Sequence, residues 1–218
     1  MGNAPTWRLV FRASTMLALI AGLLLFVGAT RTDDYFSWTI EPAETAAFLG
    51  AAYWAAAVLF SWASAQHNWP TVRIAAFPEL AVAILLLAKA APWRTSASRS
   101  QAGIDGRGQE QPHAVGFDAA WPRPLTPLTA RAIAAFLLGF AVAAATAVHG
   151  NALSRFRGAA LTYAVLGALE LLGTALHSSD FRDGVALPLF AAFFATVFAV
   201  GLAGSLLDRG KDSGLELA

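Results

Sequence analysis

Long apolar stretches, each close to the length of a membrane-spanning helix, alternate with shorter polar ones along most of the 218-residue chain. A helix that crosses a bilayer needs about 20 mainly apolar residues. Helices are favoured because lipid cannot hydrogen-bond an exposed backbone. The pattern therefore predicts an all-α fold, a polytopic membrane helix bundle with six transmembrane helices. The predicted spans are residues 10–29, 44–64, 70–90, 130–148, 158–177 and 185–207.

Polar residues interrupt this pattern most strongly between the third and fourth spans. The segment "TSASRSQAGIDGRGQEQP" is rich in Ser, Gly and Gln, a composition that favours disorder. We therefore predict two halves with three transmembrane helices each, a polar and partly disordered linker, and a polar tail. The halves are residues 1–91 and 130–207, the linker is residues 92–129, and the tail is residues 208–218.

The first span has some features of a signal peptide, since Arg8 and Arg12 precede its apolar run. That run is longer than the usual signal core of about 7–15 residues, so we predict a retained anchor. Basic residues divide almost equally between the two sides of the predicted bundle, and their count does not orient it. Arg8 and Arg12 before the first helix, with Asp33 and Asp34 after it, favour a cytoplasmic N-terminus. We thus predict a multi-pass protein of the cell membrane.

Composition supports lipid as the solvent and removes several classes of function. The chain is 57% hydrophobic and only 13% charged, whereas a soluble domain carries about 25% charge. A formal net charge of +1 gives no reason to expect nucleic-acid binding. The absence of cysteine excludes disulfides, iron–sulfur clusters and thiolate chemistry. The predicted partners are the lipid bilayer and, as a hypothesis, a membrane-protein subunit.

A short motif recurs before the second and fourth spans. "WTIEPAETA" begins at Trp38 and "WPRPLTPLTA" begins at Trp121, and aligning Thr45 with Thr129 gives an offset of 129 − 45 = 84 residues. Trp prefers the headgroup level, Pro tolerates the start of a helix, and Thr can cap it. The recurrence predicts a weak parallel repeat of helix hairpins, spans two and three followed by spans four and five.

The segments that contain these motifs also carry a resemblance. "FSWTIEPAETAAFLGAAYWAA" (Phe36 to Ala56) and "WPRPLTPLTARA" (Trp121 to Ala132) resemble uncharacterised polytopic membrane proteins, mostly from actinobacteria. The resemblance covers roughly the first five spans. It implies a bacterial integral membrane protein with a helix-bundle fold, and it implies no activity and no site residue.

Glu79 places an ionisable side chain inside the third predicted span, directly after Pro78. Charged groups at such depth cost about 2.5–3.5 kcal/mol on insertion scales, and they often mark functional sites. Pro78 removes a helical hydrogen bond and can kink the helix. One hypothesis is therefore a proton or cation site. The alternatives are a protonated carboxyl bonded to a neighbouring helix, and an interfacial position for Glu79.

A polar seam follows one face of the fifth predicted span. Its members, at spacings of 4, 3, 4 and 3, are Tyr163, Gly167, Glu170, Thr174 and His177. Such a face should pack against protein. Lys89 and Arg131 lie on the same predicted side and are candidate charge partners of Glu170. One hypothesis is a proton or cation relay from Glu170 toward His177; the other is an ion pair or hydrogen bond that fixes helix register.

Motifs of known chemistry are absent from the sequence. The four histidines form no haem or zinc spacing, and no phosphate loop or nucleophile elbow is present. Asp33 and Asp34 are the only candidates for an enzyme that acts on a lipid. We predict a non-catalytic accessory, assembly or small-ligand-binding membrane protein with no cofactor and no metal. The alternative is a small permease or proton-linked transporter that uses Glu79 and Glu170.

Overall fold

The computed structural model describes residues 6–35, 40–90, 127–149, 153–181 and 186–212. Throughout these ranges the chain is helical, with only short turns between helices, so the all-α prediction is confirmed there. The long helices are α1 (Thr6–Val27), α3 (Ala43–Ala65), α4 (Trp69–Ala90), α5 (Pro127–His149), α6 (Leu153–Leu176) and α7 (Ala186–Asp212). The short ones are a 3-10 helix at Ala29–Arg31, α2 (Thr32–Tyr35) and a 3-10 helix at Ser178–Asp180.

Five helices within the described ranges are long and apolar enough to cross a membrane. They are Thr6–Val27, Ala43–Ala65, Thr129–Thr146, Arg157–Leu176 and Ala186–Leu206. Large apolar side chains point outward from the outer helices, for example Leu17 of α1 and Leu189 of α7, which are 69% and 61% exposed. Such surfaces suit lipid and not water. The protein is therefore an integral, multi-pass membrane protein.

Some helix ends differ from the boundaries predicted from hydropathy. Helix α5 begins at Pro127, three residues before the predicted start of the fourth span at residue 130, because proline suits the first turn of a helix. Helix α7 continues to Asp212, into the predicted polar tail. Hydropathy marks where apolar residues end, whereas backbone hydrogen bonds continue into polar sequence. Most of the predicted linker, together with Trp38 and Trp121, lies outside the described residues.

Helix α3 is the central element of the bundle. It packs along α1 on one side and along α6 on another. In its most apolar 18-residue stretch, 61% is buried, compared with 22% in the corresponding stretch of α7. Small residues make the close packing achievable: a Cβ at Gly50 would lie 2.5 Å from the backbone nitrogen of Phe26 in α1. The alanine-rich sequence of α3 thus allows helices to approach on several sides.

Helices α6 and α7 meet through two glycines that face each other's backbone. A Cβ at Gly167 would lie 2.5 Å from the nitrogen of Phe198, and a Cβ at Gly201 would lie 2.3 Å from the nitrogen of Ala164. Ser205, one turn beyond Gly201, is also buried. Close approach between these helices therefore depends on the absence of side chains at positions 167 and 201.

This packing predicts the effect of Gly201→Val. The added side chain would have to displace the α6 backbone, and we expect a loss of about 1–3 kcal/mol in the free energy of unfolding. Denaturant titration of the purified protein in mild detergent measures it. Ala203→Val, at an exposed position of the same helix, is the matched control and should change stability little. Equal losses in the two variants would contradict the proposed contact.

Candidate functional site

Two buried glutamates meet where α3 begins and α6 ends. Glu44 is the second residue of α3, and Glu170 lies six residues before the end of α6. The helices run in opposite directions, since Trp62 near the end of α3 lies over Gly158 near the start of α6. Both carboxyls therefore lie within about 10 Å of the same end of the bundle, at 1.5 Å per residue. Glu44 is 0% exposed and Glu170 is 1% exposed.

Thr174 connects the two glutamates. Its hydroxyl lies 3.1 Å from Glu44 Oε1 and 2.8 Å from the backbone carbonyl oxygen of Glu170, so its single O–H is shared between these two acceptors. On the α3 side, the backbone N–H of Glu44 donates to Asp180 Oδ2 at 3.1 Å. Asp180 follows α6 in the chain, so this bond fastens the end of α6 to the start of α3. An acidic group there also complements the positive end of the α3 dipole.

One oxygen of each glutamate is buried without a hydrogen-bond partner in the described part of the chain, namely Glu44 Oε2 and Glu170 Oε1. Gly173 leaves room beside Glu44, because a Cβ at that glycine would lie 3.7 Å from Glu44 Oε2. A buried polar group without a partner costs about 1–3 kcal/mol. Packing alone gives no reason to keep two carboxyls here, which makes this pair a candidate site.

The predicted polar seam of α6 is divided among three neighbouring helices. Glu170 and Thr174 face α3, and Gly167 faces α7. The hydroxyl of Tyr163 donates to the carbonyl oxygen of Phe140 in α5. His177 is half-buried just after the end of α6, where its backbone N–H donates to the carbonyl of Gly173 at 2.9 Å. The described contacts thus join Glu170 to Thr174, and not to Tyr163 or His177.

The predicted charge partners of Glu170 lie elsewhere. Arg131 is exposed on α5, and no ion pair between it and Glu170 occurs among the described residues. The side chain of Lys89 lies outside the described residues. Pairing of Glu170 with either cation therefore stays a prediction.

Glu79 lies in a second region, a cleft of about 550 Å³ between α1, α3, α4 and α5. Ser14 Oγ of α1 donates to Glu79 Oε1 at 2.8 Å. At 1.5 Å per residue, Ser14 is about 12 Å along α1 and Glu79 about 15 Å along α4, so the pair lies near the middle of both helices. The walls are mainly apolar and include Leu17, Ile20, Tyr53, Leu59, Phe136 and Phe140.

Pro78 is part of the wall of this cleft, and α4 continues through it as one helix. Its own backbone carbonyl faces α5: a Cβ at Gly139 would lie 3.6 Å from that oxygen and 2.6 Å from Val82 Cγ2. Glycine at 139 therefore lets α5 approach α4 beside the proline. Glu79, the residue after Pro78, lines the same cleft.

Asp33 and Asp34 are exposed in α2. Burial raises the pKa of the adjacent Tyr35 phenol, and the charges of Asp34 and Asp33 raise it further. Among residues that the structure describes, no group of three or more His, Asp or Glu side chains could hold a metal ion.

No protein-family model, curated protein or solved structure matches the chain. The fold therefore defines its class, an integral, multi-pass, α-helical membrane protein. The resemblance to actinobacterial membrane proteins stays a prediction.

Glu44 is the site residue that the sequence interpretation missed. The sequence predicts that the "WTIEPAETA" segment starts a helix at the membrane surface, and it assigns no chemistry to Glu44. A signal was present: Ala47, Ala51 and Ala55 mark a small-residue face of α3, and Glu44 continues that face one turn earlier. All four residues are buried. A carboxyl on the small-residue face of a span is a better candidate than one on a mixed face.

Thr174→Val should destabilise the bundle by about 1–3 kcal/mol, because the change removes the hydroxyl that donates to the buried Glu44 carboxyl. The measurement is the free energy of unfolding in detergent. Thr196→Val is the matched control, since the exposed Thr196 hydroxyl donates only to its own helix, to Ala192 O at 2.8 Å, among the described contacts. Equal decreases in the free energy of unfolding for Thr174→Val and Thr196→Val would show that the contact between Thr174 and Glu44 does not stabilise the bundle.

Proposed function

We propose that this protein crosses the membrane six times and binds a small amphipathic molecule in the cleft between α1, α3, α4 and α5. The observation that carries the proposal is the cleft itself, a mainly apolar cavity of about 550 Å³ with Glu79 in its wall. Ligand sites are commonly apolar cavities of about 300–1,000 Å³ with a few polar groups that orient the ligand. The role is therefore small-ligand binding, without catalysis.

Helix α4 supplies the sixth span in this proposal. Its 22 residues correspond to about 33 Å, enough for a hydrocarbon core of about 30 Å. The hydrogen bond from Ser14 to Glu79 holds α4 at the depth of α1, which is a spanning helix. An α4 that crosses also gives each predicted half of the chain three spans.

The packing pattern supports the predicted parallel repeat. In this repeat, α3 corresponds to α5 and α4 corresponds to α6. The contact between α3 and α6 therefore corresponds to the contact between α5 and α4. Both contacts are extensive in the structure. Thr45 and Thr129, the aligned positions at the start of α3 and α5, are both 0% exposed. A pseudo-twofold arrangement of two hairpins, with α1 and α7 added outside, accounts for these features.

The proposed topology places the N-terminus in the cytoplasm of a cell with the protein in its plasma membrane. Arg8 Nη2 donates to the carbonyl oxygen of Gln66 at 3.0 Å, which brings the start of α1 and the end of α3 to one face. The flanks of the first helix support this choice: Arg8 and Arg12 lie at its start, whereas Asp33 and Asp34 follow its end. Basic residues favour the cytoplasmic side.

The chemistry of the cleft indicates an apolar ligand with a cationic or hydrogen-bond-donating head. Glu79 offers a carboxyl acceptor, and the surrounding walls accept an alkyl or aromatic body. Leu17, Ile20 and Leu24 line the cleft and are also exposed on the outer face of α1. The cleft therefore opens toward lipid, so a ligand dissolved in the bilayer can enter from the side.

A photoreactive long-chain alkylamine, with the matching alcohol as a neutral probe, tests this function in nanodiscs. The amine should label the cleft faces of α1 and α4, and Glu79→Gln should weaken its binding about tenfold, or 1.4 kcal/mol. Binding of the alcohol should change little. Labelled peptides identified by mass spectrometry, and competition by unlabelled amine, give the site and the affinity.

Glu41→Gln is the control for this experiment, since Glu41 is an exposed carboxyl outside the cleft. Equal binding of amine and alcohol to the wild-type protein, or labelling outside the cleft, would reject the proposed site.

A small permease or proton-linked transporter is the second candidate, favoured by carboxyls buried within the bundle. Glu79 and Glu170 lie in separate regions, however, and no chain of described contacts connects them. Ligand binding needs only the cleft, whereas transport needs a continuous path. The measurement is proton flux into proteoliposomes. Flux that the wild-type protein supports and that Glu170→Gln loses, while it expresses normally, would favour the transporter.

A further inference from the structure

We propose that Glu44 and Glu170 form a proton-binding site, in which the two carboxyl groups share one proton across the α3–α6 contact. The proton would join Glu170 Oε1 and Glu44 Oε2, the two buried oxygens that have no partner among the described residues. The site is independent of the ligand that the cleft binds.

The first support is geometric. Thr174 holds Glu44 Oε1 from the α6 side, and Gly173 leaves the other oxygen, Glu44 Oε2, facing α6. Glu170 lies one helical turn before Thr174, and the Thr174 hydroxyl lies 2.8 Å from the Glu170 carbonyl oxygen and 3.1 Å from Glu44 Oε1. Both glutamates are almost completely buried, so water cannot serve as the ordinary partner.

The second support is the inventory of charges around the pair. Helix α1 beyond Ala13 and helix α7 up to Leu206 contain no charged residue. Arg31, in the turn that packs on α3, and Arg131 on α5 are both exposed. The other described titratable side chains at this end are His177, just after α6, and those of Asp33, Asp34, Tyr35, Glu41 and Asp180, the last of which binds the Glu44 N–H. The side chain of Lys89, at the end of α4, lies outside the described residues. No described cation therefore neutralises two buried carboxylates, a state that would be very costly.

One proton resolves this conflict. It removes one of the two charges, and it converts one orphan oxygen into a donor and the other into its acceptor. Hydrogen bonds from a hydroxyl to a carboxylate are short and strong. The proton belongs to the pair and not to one residue. A calcium ion would need about six to eight oxygen ligands, more than this buried site supplies.

Loss of the proton would place like charges on α3 and α6 at the point where Thr174 and Asp180 connect these helices. Repulsion would then separate the start of α3 from the end of α6. The site thus makes the α3–α6 contact dependent on pH.

Infrared spectroscopy of the purified protein tests the proton directly. At neutral pH, the wild-type protein and the Glu79→Gln control should both show the C=O band of a buried, protonated carboxylic acid. In the Glu79→Gln background, which removes the other carboxyl inside the bundle, the Glu44→Gln/Glu170→Gln double variant should lack the band, while the amide groups preserve side-chain size. Absence of the band from the wild-type spectrum, or its persistence in the double variant, would overturn the proposal. If the double variant does not fold, the wild-type spectrum alone still tests for the proton.

Thermal unfolding gives a second, independent readout. The folded state holds one more proton than the unfolded state, in which both carboxyls ionise near their ordinary pH, so the wild-type Tm should fall as pH rises from about 5 to 9. The single variant Glu170→Gln should reduce this slope, and Glu41→Gln should not. A wild-type Tm that does not change with pH would show that no proton is bound. A higher Tm in sodium than in choline, lost in the variants, would show that a cation is bound instead; either result would overturn the proposal.

Discussion

The contact between α3 and α6 is the constraint on which the rest of the structure depends. In lipid, helices gain little from burying apolar surface against each other, so close packing and polar bonds hold them together. At one end of this contact, Thr174 and Asp180 bind Glu44; at the other, the ring of Trp62 covers Gly158. The two ends fix the register of α3 against α6.

The remaining helices pack around that contact, some of them more closely than others. Helix α1 approaches α3 at Gly50, and α7 approaches α6 at Gly167 and Gly201, so these pairs have nearly touching backbones. Helices α4 and α5 pack mainly on each other and contact the central pair less extensively. Space remains where the tightly packed and loosely packed parts meet, which is why the cleft with Glu79 lies there.

Sequence patterns predicted the local features and missed those that depend on which helices become neighbours. The apolar stretches marked the helices, and spacing placed Glu170 and Thr174 on one face. The decisive contacts join residues far apart in the chain: Ser14 is 65 residues from Glu79, and Glu44 is 130 residues from Thr174. Glu44 also resembled an ordinary acidic residue in the first turn of a helix. Its burial follows from the antiparallel packing of α6, which composition and periodicity do not encode.

Helix α3 is the element that the carboxyl pair and the cleft have in common. Glu44 begins the helix at the pair, and Tyr53, about 14 Å further along at 1.5 Å per residue, lines the cleft. Tyr53 packs edge-on against Phe136 of α5, with ring centroids 4.9 Å apart. The carboxyl pair and the ligand cleft therefore share one helix, and no polar path connects them among the described residues.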